Sequence, residues 1–182
     1  MGVPVATTYE EPRAHAVRER YLGTFGGEGL PVPVEAIATD LLGLRIERSW
    51  EIDCSGMLLP AERRILLNAA EDVGGRNDPP LRRFRFTIAH EIGHWVCHCL
   101  EGRAHSLAPS YCRPVDLTDA ADRSLEREAN VFAAELLMPE PAVGEAWSES
   151  ADLAACASRF DVSPTAMHWR LFNLQLLEQM PA

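Results

Sequence analysis

His90, Glu91 and His94 stand in the stretch RFTIAHEIGHWVCHC (85–99), two imidazoles four residues apart with a carboxylate directly after the first. A helix advances about 100° per residue, so the two histidines fall about 40° apart, one turn above the other on a single face. Two imidazoles so placed can grip one tetrahedral ion. Glu91 is turned about 100° from His90, too far round for an equal third ligand. It is well placed instead to take a proton from a water activated at the ion. Thr87, Cys97 and His98 fall on or near the same face. Cys97 and His98 read first as packing around the ligands, with Cys97 the reserve ligand one turn beyond His94.

A catalytic zinc site has three protein ligands and an open position for water. The extended pattern that supplies a third histidine six residues after the second is absent here. The missing ligand must therefore come from another element, and SLEREANVFAAELLMP (124–139) offers glutamates. This segment reads as a helix stopped by Pro139, with Leu125, Ala129, Phe132, Ala133 and Leu136 as its core stripe. Glu128 and Glu135 flank that stripe on one side and Glu126 on the other. Helical geometry leaves all three open, although a solvated face is the expected role of Glu126 and Glu135.

The elements around these residues predict an α+β domain. Residues 12–22 suggest a short helix opened by Pro12, and GTFGGEGLPVP (23–33) a linker. Val34, Ile37, Ala38, Leu41 and Leu42 recur at helical spacing, with Gly43 as the C-cap. The period then changes. LRIERSW (44–50), CSGMLLP (54–60) and RRILLNA (63–69) predict three short strands in a small, largely antiparallel sheet. The third of them comes just before the histidine helix and is a candidate edge for an extended peptide. That helix should open near Pro79 and Pro80 and run to about Leu100, apolar on its back through Ile88, Ile92, Trp95 and Val96. Arg82, Arg83 and Arg85 read as its solvated start. Residues 101–121 form a long loop, and two further helices are expected over 150–160 and 164–178, the second capped by Ser163. The expected division is a helix and linker over 1–30, a zincin-like core over 31–148 and a helical tail packed on it over 149–182.

The chain of 182 residues is long enough for one well-packed domain. A net charge of −10 argues against nucleic-acid binding, because phosphate neutralisation needs clustered lysine and arginine. No apolar run approaches the roughly 18–20 residues that span a bilayer, so no membrane is expected. The N-terminus shows no secretory signal. Five cysteines (Cys54, Cys97, Cys99, Cys112, Cys156), without a C-x-x-C pair, favour a reducing cytoplasm over a disulfide framework.

RFTIAHEIGHWVCH together with EREANVFAAELLMP resembles the ImmA/IrrE family of metallopeptidases, cytoplasmic bacterial proteins with a gluzincin-like core. PVPVEAIATDLLGLRI (31–46), ILLNA (65–69) and FDVSPTAMHWRLFNLQLL (160–177) extend the resemblance more weakly. It implies Glu128, the glutamate of Glu-Ala-Asn, as third ligand beside His90 and His94. The implied cofactor is one Zn²⁺ per chain, with another divalent ion as the alternative. The implied activity is an endopeptidase with Glu91 as general base, acting on a helix-turn-helix repressor of a mobile element or stress regulon. Tyr111 and His168 are candidates for steadying the oxyanion. Two other classes stay open: a metal-dependent module that binds a repressor or toxin without cutting it, and a DNA-binding regulator using residues 150–178.

Overall fold

The computed structural model describes residues 10–72, 80–100 and 120–180. Helix α1 (Glu10–Phe25) is followed by α2 (Val34–Ala36), which runs on as a π-helical turn over Ile37–Leu41. Gly43 ends that helix at φ 64°, the left-handed conformation for which glycine carries no steric cost. Three strands come next, β1 (Arg45–Ser49), β2 (Gly56–Leu59) and β3 (Arg64–Asn68). Four long helices complete the described chain after α3 (Pro80–His94), which widens into a π-helical turn over Trp95–Cys99: α4 (Ala120–Leu137), α5 (Glu140–Ser150), α6 (Leu153–Phe160) and α7 (Pro164–Asn173).

The mixed α/β composition is as expected, but the sheet is mixed, not largely antiparallel. Its order is β1-β3-β2, with β1 parallel to β3 and β2 antiparallel to it. Neighbouring strands lie about 4.8 Å apart, so the link at residues 50–55 easily skips one strand position. β3 then turns back from β2 into the gap. Tight connections alone suggest sequential hairpins, and nothing local in the sequence records the skipped place. β3 is thereby the central strand and has no free edge.

Arg63 holds the β2–β3 turn to its surroundings. It adopts φ 52°, and its guanidinium donates to the carbonyls of Leu42 at 2.5 Å and Gly43 at 3.3 Å while lying 5.2 Å over the Trp95 ring. α3 packs against α4 on one side and against β2 and β3 on the other. Ile88, Ile92 and Trp95 share one core with Leu58, Ile65, Leu67, Phe132 and Leu136. α1 packs on α4, with Ala14 fully buried.

The arginines at the start of α3 are all paired, and Arg85 among them is buried. Arg82 pairs with Asp161 at 3.1 Å, and Arg83 pairs with Glu71 at 2.8 Å. Arg85 is buried, donating to the Val32 carbonyl at 2.8 Å and the Asp161 carbonyl at 3.1 Å. A guanidinium offers five donors in a fixed fork, so one buried side chain can satisfy carbonyls from two distant segments. Arg170 does the same on α7, donating to Met138 O at 2.9 Å and pairing with buried Glu135. α7 starts at its expected cap, Ser163 accepting from Ala166, and α6 starts after Asp152, which accepts from Ala154 and Ala155. Among the described residues, no helix is long and apolar enough to cross a membrane.

Candidate metal centre

α3 and α4 touch where their side chains are smallest. A Cβ at Gly93 would lie 3.0 Å from the Cα of Ala129, so the two backbones approach at the middle of the site. This contact brings one turn of α4 over the histidines of α3. His90 Nε2 and His94 Nε2 are 3.0 Å apart. Glu126 reaches across with one carboxylate oxygen to each, Oε2 to His90 at 3.1 Å and Oε1 to His94 at 3.1 Å. The atoms of His90, His94 and Glu126 that could hold a metal ion all lie within 4.8 Å of one another. His94 is fully buried and His90 nearly so.

The far nitrogens of both rings are also held. His90 Nδ1 donates to the Asn130 amide oxygen at 3.1 Å, which leaves the Nε2 lone pair directed into the centre. His94 Nδ1 is 3.2 Å from His98 Nδ1, and His98 Nε2 is 3.2 Å from Glu128 Oε2. Ser124 supports the other Glu128 oxygen at 3.3 Å.

These groups fit a cation. Two imidazole lone pairs and a carboxylate converge in a buried space, an arrangement that repels itself unless a positive charge lies between them. Without a metal, a proton takes that part. Burial opposes charge on both sides, pushing His90 down and Glu126 up. The hydrogen bonds between them outweigh it, so His90 is raised above its ordinary range and the Glu126 carboxyl is lowered to about 2. Two nitrogens and one carboxylate oxygen are the donors of a catalytic zinc site.

Glu91 is fully buried beside this centre. β2 comes down next to it. A Cβ at Gly56 would lie 2.3 Å from Thr87 Cγ2 and 3.4 Å from Glu91 Oε1, so only glycine lets the strand lie this close to α3. The edge strand beside the histidine helix is therefore β2, and the expectation of an edge at 63–69 is corrected. A cleft of about 880 Å³ opens beside the centre. It shares Thr87 and Asn130 with the site, and Phe86, Ala134, Met138 and Trp169 form much of its apolar wall.

The structure brings His90, His94 and Glu91 together on α3 as their spacing predicts, but it does not bring Glu128 to the histidine pair. Glu126 occupies that place, and Glu128 lies against His98 instead. The physical reason is the face that α4 turns toward α3. Residues four apart share a helix face, so Glu126 comes with Asn130, and both point at His90. The corresponding neighbours of Glu128 are Val131 and Phe132, which are apolar. The polar Asn130 inside an otherwise apolar run was the available signal for Glu126. Glu135 is not solvated either, being committed to Arg170. Cys97 is buried outside the ligand group, and burial pushes the Cys99 thiol up to about 11, so Cys99 is not a ready thiolate ligand. Tyr111 lies outside the described residues. His168 faces the C-terminal tail, with Nε2 3.1 Å from the Gln179 carbonyl.

The family described as IrrE N-terminal-like domain, Peptidase M78, matches residues 61–172. No curated protein sequence matches the chain. A Mycobacterium tuberculosis transcriptional regulator of solved structure shares the fold, with a TM-score of 0.58 at 16% identity over 87% of this chain. The chain spans 45% of that regulator's length.

Proposed function

The chain belongs to the IrrE N-terminal-like (M78 peptidase) family, and from that premise we propose that it is a zinc-dependent endopeptidase acting on a protein substrate. The observation that carries the reading is the convergence of His90 Nε2, His94 Nε2 and the Glu126 carboxylate, with buried Glu91 one residue along the same helix. A divalent ion bound there supplies Lewis-acid polarisation of a peptide carbonyl and acidifies water. Glu91 accepts the proton of the attacking water and returns it to the departing amine as the C–N bond breaks. Burial of Glu91 keeps bulk water from competing for that proton. β2, an outer strand of the sheet among the described residues, offers its main chain to an extended substrate segment, and the apolar cleft beyond Asn130 accepts a side chain from it.

The substrate class follows from the family resemblance: a helix-turn-helix repressor of a mobile element or stress regulon. The compartment in this reading is a reducing cytoplasm, in keeping with four free cysteines among the described residues. Direct DNA binding by the C-terminal helices is disfavoured, because Arg159 is paired with Glu149 at 2.7 Å and Arg170 is committed to Glu135, leaving no basic face.

The test is incubation of the protein and its Glu91→Gln variant with the repressor encoded beside it, with zinc or chelator. A discrete cut that needs both metal and Glu91 is expected. Complex formation without a cut, across several candidate repressors, would replace the peptidase reading with that of a metal-dependent interaction module.

A further inference from the structure

Glu128, displaced from the ligand set, ends a hydrogen-bonded chain that leads back into it. The chain runs Glu128 Oε2 to His98 Nε2 at 3.2 Å and His98 Nδ1 to His94 Nδ1 at 3.2 Å, and His94 Nε2 faces Glu126 and His90. His94 and His98 are both fully buried, while the Glu128 side chain is 26% exposed. The widened turn at Trp95–Cys99 advances each residue by a smaller angle than an α turn, which sets the His98 ring more nearly above His94.

The direction of every bond is dictated from the Glu128 end. A carboxylate only accepts, so His98 Nε2 carries the hydrogen. A neutral imidazole with its hydrogen on Nε2 presents Nδ1 as an acceptor, so His94 Nδ1 must donate to it. His94 thus keeps its hydrogen on Nδ1, and Nε2, which faces the Glu126 carboxylate at 3.1 Å, is the nitrogen left to give up its hydrogen to a metal. Asn130 achieves the same for His90 through one direct bond. The two ligand histidines are thus oriented by different devices, a neutral amide at one and a carboxylate acting through a second imidazole at the other.

We propose that Glu128 and His98 are positioning residues that hold His94 in the tautomer able to ligate metal, before the metal arrives. The proposal rests on the metal-site reading above. Partners of this kind typically change metal affinity by roughly 10–100-fold when removed.

The experiment is zinc titration against a competing chelator for the wild type, Glu128→Ala, Glu128→Gln and Glu126→Ala, combined with ¹⁵N NMR of the His94 ring in the metal-free proteins at mildly alkaline pH. Glu128 lies at the partly exposed end of the chain, so its truncation leaves no core cavity, and thermal melting checks the fold. The expected result is weakening of zinc by roughly 10–100-fold in Glu128→Ala, with the His94 ring changing from one tautomer to a mixture. Glu128→Gln should recover most of the affinity, because its amide oxygen accepts the same bond. Glu126→Ala should lose far more than Glu128→Ala. Unchanged affinity and an unchanged His94 tautomer in Glu128→Ala would overturn the relay while leaving the metal reading intact. Loss of zinc in Glu128→Ala as complete as in Glu126→Ala, without rescue by glutamine, would also overturn it, making Glu128 a direct ligand. A wild type that binds no zinc would overturn the metal reading itself.

Discussion

Gly93 and Ala129 meet with no room for a side chain between them: a Cβ added at 93 would stand 3.0 Å from both the Cα and the carbonyl oxygen of Ala129. Both obstacles are backbone, so neither can swing aside. Gly93→Ala must push α4 away from α3 and carry Glu126 off the histidines. Overpacking of this kind costs about 1–3 kcal/mol, and zinc affinity should fall with it. Chemical denaturation and zinc titration together check this, and a fully stable Gly93→Ala protein with wild-type affinity would contradict the close-approach account.

The three glutamates of α4 should separate cleanly under alanine substitution. Glu126→Ala removes a ligand and should leave the protein without stoichiometric zinc by elemental analysis. Glu135→Ala strands the buried Arg170 guanidinium, a loss of about 3–5 kcal/mol, yet whatever fraction is folded should still bind the metal. Retention of full zinc by Glu126→Ala would refute the ligand set.

Gly56 and Thr87 should behave as a coupled pair. Gly56→Ala places a methyl 2.3 Å from Thr87 Cγ2, forcing β2 away from α3 beside Glu91. Peptide cleavage is expected to drop at least tenfold while zinc content holds, since no ligand lies on β2. Adding Thr87→Ser removes the obstructing methyl and should restore part of the rate. Additive, uncoupled effects in this double-mutant cycle would show that the contact does not govern the strand.

The metal-free protein should have a distinctive pH profile. Glu126 sits at about 2 against an ordinary 4.5, so its contribution is present above 4.5 and is lost as pH falls toward 2. His90 is raised above 6.5, so its contribution is full below 6.5 and is lost as pH rises through its folded value. Both shifts describe one contact, which is therefore strongest between the two ordinary values. Melting temperatures in chelator across this range should show a plateau that Glu126→Gln flattens. Zinc binding runs the other way, tightening as pH rises and the competing proton leaves. An identical profile in Glu126→Gln would count against the assignment.

Much of this site could be read from residue types and spacing, because a helix converts spacing into direction. His90 and His94 four apart, an apolar back on the same helix, and Ser163 followed by Pro164 at a helix start all mean the same thing in any fold. What could not be read from one segment is how two segments meet. The choice between Glu126 and Glu128 depends on the rotation of α4 against α3, which the Gly93–Ala129 contact sets and neither helix states alone. The skipped strand position between β1 and β2 is of the same kind, as is the burial of Arg85, whose partners lie in segments far away along the chain. The helix start at Glu140, directly after Pro139, was a local signal that the stop at Pro139 obscured.

Arg85 carries a consequence for the order of assembly. Its bonds to the Val32 and Asp161 carbonyls span 53 and 76 residues of sequence. The helix that bears His90 and His94 is thus fastened by two wide loops, one closing from each side. Closing such loops costs chain entropy that no local helix formation repays in advance. The helix itself can form early, but its seat exists only once residue 161 has been synthesised and folded back. A chain cut short of α6 would carry His90, Glu91 and His94 and lack the Asp161 anchor of the helix that bears them.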